Sequence, residues 1–185
     1  MPKFLVIQAA RFGDLVQTKR LLLSLALRGE VHLAVDAGLV PLAKVLFPFA
    51  ELHALSVHGS PEVEALARNT AVLIRWQGLR FDAVYNCNFS GTTAALCRIF
   101  EAEQVHGYRP EPGGISRSPW ARLAFRISER RALAPLNLVD FWAHFAPEPV
   151  EAHRVNPAAT PGGRGLGVVL AGRESRRSLP VPVLA

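Results

Sequence analysis

The sequence predicts an α/β fold, a parallel β-sheet flanked by helices, on three observations. Short apolar runs alternate with longer amphipathic stretches from the N-terminus to about residue 108. Half of the 185 residues are hydrophobic and 19% are charged, so a sizeable core can form. The chain also opens on the unit such folds are built from. Phe4-Leu5-Val6-Ile7 is an apolar strand, the polar stretch to Gly13 a turn, and Asp14-Leu15 the start of an amphipathic helix.

Each element follows from its pattern. The first strand covers 3–8. A helix runs from about 14 to 28, with Leu15, Leu22, Leu25 and Ala26 on one stripe. Gly29 reads as its C-cap and leads into a strand over 30–35. A short helix over 39–46 stops before Pro48, and 51–57 is a weakly patterned third strand. Residues 61–77 form a helix with Pro61 in its first turn. A fourth strand spans 81–87. Asn88-Phe89-Ser90-Gly91 is then a βα turn, with Ser90 as cap of a helix over 92–101. A fifth strand spans 104–108. Strands alternating with helices specify βαβ units with right-handed crossovers, hence a Rossmann-like parallel sheet flanked by helices.

Beyond Tyr108 the pattern changes. Residues 109–114 read as a loop, and helices are expected over 119–131 and 136–145. The stretch 147–165 is rich in Pro, Gly and Ala and reads as an interdomain linker. A fresh strand over 166–171 opens a second domain. The expected organisation is a first domain over 1–146, a linker over 147–165 and the start of a second domain over 166–185.

Several function classes drop out. The apolar run at 4–7 is too short for a signal peptide or a membrane span, so a cytoplasmic location is expected. Two cysteines, Cys87 and Cys97, make no disulfide framework. The six histidines show no metal-ligand spacing, and neither a metal nor a cofactor is expected. With one glycine, the turn Ala9-Ala10-Arg11-Phe12-Gly13 is neither a dinucleotide fingerprint nor a Walker loop.

The net charge of +6 is concentrated. Arg117, Arg122, Arg126, Arg130 and Arg131 face a single acid, Glu129, in their stretch. Arg122, Arg126 and Arg130 share one helix face, with Trp120, Leu123, Phe125 and Ile127 supplying apolar surface. Such a helix binds an anionic membrane surface or another polyanion. Nucleic acid is not expected, because the aromatics do not interleave with the basic residues as in a recognised module. Arg173, Arg176 and Arg177 follow the last apolar run and suit a diphosphate.

Asp14 is the candidate catalytic base. It stands where the first strand's carboxyl end meets a helix, the place where open α/β sheets build their sites. It also fits a helix cap, with Asp14-x-x-Gln17 as a capping box. Capping donors favour the charged carboxylate, which works against base duty. Both readings stay open.

Together these residues resemble glycosyltransferase family 9, the ADP-heptose:lipopolysaccharide heptosyltransferases. The likeness lies in the opening strand, the polar turn Gln8 to Phe12, then Gly13-Asp14 followed by Leu15-Val16. Phe81-Asp82-Ala83-Val84-Tyr85-Asn86 is similar to the family's aromatic-Asp-apolar strand. Val105-His106-Gly107-Tyr108 resembles its Arg-Ile-Gly-Tyr strand end, and 168–180 the opening of its second domain. Two positions depart from the pattern. Arg11-Phe12 replaces the family's small polar pair, and Leu179 stands where the family has Trp before Pro180.

The resemblance implies the N-terminal, acceptor-binding domain of a GT-B enzyme. That enzyme is inverting, metal-independent, and transfers heptose from ADP-heptose to the lipopolysaccharide inner core. It implies Asp14 as the base and Arg177 as the cation holding the departing diphosphate. The basic stretch, which is not a family motif, then gains a role: the phosphorylated lipid A–core acceptor, or the anionic inner leaflet, would meet Arg117, Arg122, Arg126 and Arg130, making the protein peripheral on the inner membrane. Because the donor half would lie beyond residue 185, this chain alone is expected to be inactive. The alternative is a non-catalytic Rossmann-like module that binds anionic lipid or another polyanion through the same basic stretch.

Overall fold

Alternation along the first strand sets the two-sided architecture. In β1 (Lys3–Ile7), Phe4 and Val6 join one apolar cluster and Leu5 and Ile7 the other, one on each face of the sheet. A strand buried on both faces needs helices on both faces. The computed structural model describes residues 1–58, 61–130 and 136–155. Within them, β1 is followed by β2 (Glu30–Asp36), β3 (Glu51–Leu55), β4 (Ala83–Asn86), β5 (Val105–Glu111) and β6 (Gly114–Arg117). The sheet order is β3-β2-β1-β4-β5-β6. The first five strands are parallel and β6 is antiparallel to β5. The expected Rossmann-like parallel sheet is therefore present, with its topological switch point between β1 and β4.

The helices are α1 (Phe12–Gln17), α2 (Lys19–Ala26), α3 (Val40–Leu46), α4 (Glu62–Arg68), α5 (Thr70–Leu79), α6 (Gly91–Leu96), α7 (Pro119–Ser128), α8 (Leu138–Ala143) and α9 (Ala152–Val155). One face of the sheet packs Leu21, Leu22, Leu25, Phe47, Phe141 and Trp142 against Val31, Leu33 and Tyr85. The other packs Trp76, Phe81 and Leu96 against Leu5, Ile7, Val84 and Val105.

Four departures from the sequence expectation have local causes. The long first helix is two helices, because the Thr18 hydroxyl donates to the Leu15 carbonyl at 2.7 Å and competes with the helical ladder. The helix after β3 is likewise two. Buried Asn69 donates to the Ala65 carbonyl at 2.7 Å and accepts from the Ser56 amide at 3.0 Å, tying the break to the end of β3. Residues 109–114 are not a plain loop. Strand β5 runs on to Glu111 and turns back through Gly113, at φ +85, into β6. The chain also turns before Gly13, which lies in the first turn of α1.

Gly29 does not adopt the left-handed conformation of a C-cap glycine, although its amide donates to the Leu25 carbonyl. It is small for another reason: a Cβ there would meet the Pro2 carbonyl oxygen at 2.2 Å. The left-handed C-cap is instead at the end of α5, where Arg80 has φ 48 and is the one non-glycine residue at positive φ among the described residues.

Residues after α8 return to the first domain. Arg20 is buried and donates to the Val150 carbonyl and to Asp140 at 2.5 and 2.6 Å, while the Val150 amide donates to Ser24. Among the described residues, no helix is long and apolar enough to cross a membrane. Arg131, Arg173, Arg176, Arg177 and the strand expected at 166–171 lie outside the described residues.

Candidate functional site

A cleft of about 650 Å³ opens over the carboxyl ends of the parallel strands, at the switch point between β1 and β4. Ala9, Ala10 and Asp14 enter it after β1, Val57 and His58 after β3, and Cys87 to Ser90 after β4. Thr93 of α6 and Leu138 and Trp142 of α8 complete its walls.

Two strand ends that diverge at a switch point would leave backbone groups unpaired, and asparagine and glutamine side chains take them up here. Buried Asn88 accepts from the Ala9 amide at 3.0 Å and donates to the Ile7 carbonyl at 2.8 Å. It also donates to Asn86 Oδ1 at 3.2 Å. Asn86 in turn donates to the Tyr108 carbonyl at 2.9 Å, so the network runs from β1 across β4 to β5. Gln8, fully buried, accepts from the Ala10 amide at 3.3 Å. The floor of the cleft is thus a satisfied polar network, which holds the strand ends in fixed positions.

Asp14 stands half-buried at the cleft wall, in the first turn of α1. It is not the N-cap; Arg11 is, and its amide donates to Asp14 Oδ2 at 3.2 Å. The expected box Asp14-x-x-Gln17 is therefore displaced by one turn, and Asp14 is the acidic member that caps backward. Among the described residues this is the one hydrogen bond to its carboxylate, and Asp14 is part of the cleft lining. Ser90 is the N-cap of α6, as the sequence indicates, and accepts from the Thr93 amide at 3.2 Å.

Two other groups at the cleft bear on its chemistry. Burial pushes the Cys87 thiol far above the ordinary range, so it stays protonated and is no nucleophile. His58 is exposed at the rim, 3.9 Å from Asp36, and is a second ionisable group beside Asp14. The indole N–H of Trp142, in the wall, has no acceptor among the described residues. Gln8, Asn86 and His58 are not distinguished by the sequence as site residues, and Asn88 is read there only as part of an ordinary βα turn. The available signal was their placement directly after apolar strands, at the carboxyl edge of a parallel sheet.

The basic residues divide. Helix α7 covers Pro119–Ser128, so Arg117 lies before it in β6 and Arg130 beyond its end. Arg122 and Arg126 are exposed on α7, one turn apart, beside exposed Leu123. Arg117 is held by its own neighbours. It donates to the Tyr108 hydroxyl at 3.0 Å and stacks 4.2 Å from the Phe125 ring centroid. A second, smaller cavity of about 380 Å³ brings Arg117 and Arg122 together with Arg109 and Ser116. Arg109 reaches it because β5 and β6 pair as a hairpin, with Arg109 opposite Ser116. Phe89, in the wall of the larger cleft, packs on Tyr108, Phe125 and Trp142.

No family model matches the chain, and no curated protein matches it. Among solved structures, the chain is similar to the crystal structure of the glycosyl transferase family 9 from Veillonella parvula, with a TM-score of 0.49 and 17% sequence identity. The match covers 57% of this chain and 31% of that one, so the chain spans about a third of that protein's length.

Proposed function

We propose that this chain is the acceptor-binding part of an inverting, heptosyltransferase-like glycosyltransferase of GT-B type, with Asp14 as the base that deprotonates the acceptor hydroxyl. One observation carries the reading. The Gly13-Asp14 motif places a carboxylate in the wall of the cleft at the switch point, with Oδ2 held by the Arg11 amide at 3.2 Å. The fixed oxygen sets the carboxylate's orientation, and the second can accept a proton from a hydroxyl within hydrogen-bond reach. The satisfied floor of Gln8, Asn86 and Asn88 holds that geometry without spending a cleft-facing charge.

In this reading the donor is ADP-heptose and the acceptor a phosphorylated lipid A–core saccharide. The acceptor's phosphates are met by Arg117 and Arg122 in the smaller cavity, and by Arg126 and Arg130 nearby in sequence. Arg177 would hold the donor diphosphate. That role and the chain's inactivity alone rest on the sequence resemblance, whereas peripheral attachment to the inner membrane rests on the basic stretch.

The test is a titration of the isotope-labelled chain with a delipidated, phosphorylated Kdo–lipid A core oligosaccharide, followed by backbone amide shifts. Saturable shifts at Ala9, Asp14, Asn88 and Ser90 are expected. Their absence at millimolar oligosaccharide refutes an acceptor site in this cleft.

A second reading has its own support in the exposed Arg122-Leu123-Arg126 surface of α7, which suits an anionic bilayer without chemistry. It predicts binding to phosphatidylglycerol vesicles that Arg122→Glu with Arg126→Glu abolishes, with no saccharide shifts in the cleft.

A further inference from the structure

Two Glu-x-His triplets, Glu30-Val31-His32 and Glu51-Leu52-His53, lie on neighbouring parallel strands. The register sets His32 opposite Glu51, and His53 two residues further along β3. Side chains two apart on a strand share a face, so all four groups project to the same side of the sheet. The two histidines are 21 residues apart in sequence, and only the β2–β3 pairing brings them together.

From this juxtaposition we infer a binding site for a divalent transition-metal ion of the zinc class, with His32 Nδ1, His53 Nε2 and Glu51 Oε2 as its protein ligands. His32 Nδ1 lies 3.0 Å from His53 Nε2 and 3.7 Å from Glu51 Oε2. One donor atom from each residue falls within 4.8 Å of the others. Ligands held at ordinary zinc bond lengths in a tetrahedron sit about 3.3 Å apart; the two spacings from His32 bracket that figure, and the third, within 4.8 Å, closes by rotation of the partly exposed Glu51 side chain. Two imidazoles and a carboxylate are the donor set that zinc accepts, with the fourth position left to water.

The surroundings support the assignment. His32 Nε2 lies 2.9 Å from Glu30 Oε1. A carboxylate there accepts, so Nε2 carries the proton and Nδ1 presents its lone pair to the centre. A carboxylate behind a histidine is the arrangement that orients metal ligands and raises their basicity. Glu51 is oriented in the same way: Arg75 pairs with its Oε1 and leaves Oε2 toward His32. Both imidazoles are buried and flanked by rings, His32 by Phe81 at 5.0 Å and His53 by Trp76 at 5.9 Å. Glu51 is partly exposed and marks the route of entry.

Without an ion, His53 Nε2–H donates to His32 Nδ1. On binding, the His53 proton passes through solvent from Nε2 to Nδ1, so the ring stays neutral and no net proton is released from it. The site sits toward the amino ends of β2 and β3, away from the carboxyl-end cleft. Its effect is to clamp the β2–β3 edge.

The test uses the full chain freed of metal by a chelator. Co²⁺ titration should give one equivalent of binding with the intense visible bands of four-coordinate cobalt, displaced by Zn²⁺, and Zn²⁺ should raise the Tm. Glu51→Gln, at a partly exposed position, should leave the metal-free Tm within a few degrees and weaken Zn²⁺ at least tenfold. His53→Gln should abolish the cobalt bands. The inference is overturned if cobalt shows only its weak octahedral spectrum. It is equally overturned if Glu51→Gln binds Zn²⁺ as tightly as the parent, which would place the ion elsewhere.

Discussion

Replacing Asn88 with alanine tests whether the cleft floor is held by its side chain. The Ala9 amide, 1% exposed, would lose the acceptor it now has at 3.0 Å. Losing the protein acceptor of this buried donor costs about 1–3 kcal/mol. The Ile7 carbonyl fares better. It loses the Asn88 Nδ2 bond but still accepts from the Cys87 amide at 2.9 Å, so about 1 kcal/mol is lost there. Together Asn88→Ala should destabilise the fold by about 2–4 kcal/mol. In urea unfolding this appears as a lower midpoint at unchanged slope. Asn88→Asp is the discriminating control. It keeps the acceptor for Ala9 but turns an oxygen toward the Ile7 carbonyl and Asn86 Oδ1, so it too destabilises, and partial recovery is expected in acid as the carboxyl protonates. A loss below about 0.5 kcal/mol for Asn88→Ala, the range of an ordinary surface change, would refute the stitching role.

Arg80→Gly should stabilise by roughly 0.5–1 kcal/mol in the same assay, because it removes the cost of a side chain at a left-handed C-cap; a loss of stability would contradict the cap geometry. Gly13→Ala should stabilise by roughly 0.5–1 kcal/mol, since a Cβ there meets nothing within 4 Å and the residue is helical. If it instead destabilises, α1 does not begin where described. Acid should weaken the fold through His53, whose pKa burial pushes down to about 4, with the His32 and Arg75 charges adding to the effect. The unfolded chain binds the His53 proton below about pH 6.5 and the folded chain only near 4, so this penalty is absent at neutral pH and grows as pH falls through that window. It amounts to about 3 kcal/mol, and unfolding with a chelator present at pH 7 and pH 4.5 should show a clearly smaller pH effect in His53→Gln than in the parent.

Much of the fold was legible because its strands bury both faces and read as apolar runs. Phe4 to Ile7 is such a run, and Val31 to Val35 is one broken only by His32; the two strands pair in parallel. Breaks inside helices were not legible. Thr18 and Asn69 are tolerable helix residues by type, and only the bonds they make to Leu15, Ala65 and Ser56 turn them into boundaries. The β5–β6 hairpin was hidden because Pro110, Pro112 and two glycines read as loop, while the edge position tolerates both residue types. In the site, Asp14 was visible from its place after a strand. Asn86 read only as the end of a strand and Asn88 only as part of a βα turn, since their value lies in the Ala9, Ile7 and Tyr108 backbone groups they meet across the switch point. Arg117 looked like one more member of a basic stretch, whereas its guanidinium is engaged by Tyr108 and Phe125.

The most direct test is Asp14→Asn in a GT-B enzyme in which this chain forms the acceptor domain, assayed by ADP release from ADP-heptose with a phosphorylated lipid A–core acceptor. Asparagine keeps an acceptor for the Arg11 amide and removes only the basic oxygen. The account predicts a fall in turnover of about 10²–10⁴-fold, with a stability change of no more than about 1 kcal/mol from the lost charge at the helix N-terminus. Turnover within a few-fold of the parent would remove Asp14 as the base, and with it the proposed role of the cleft.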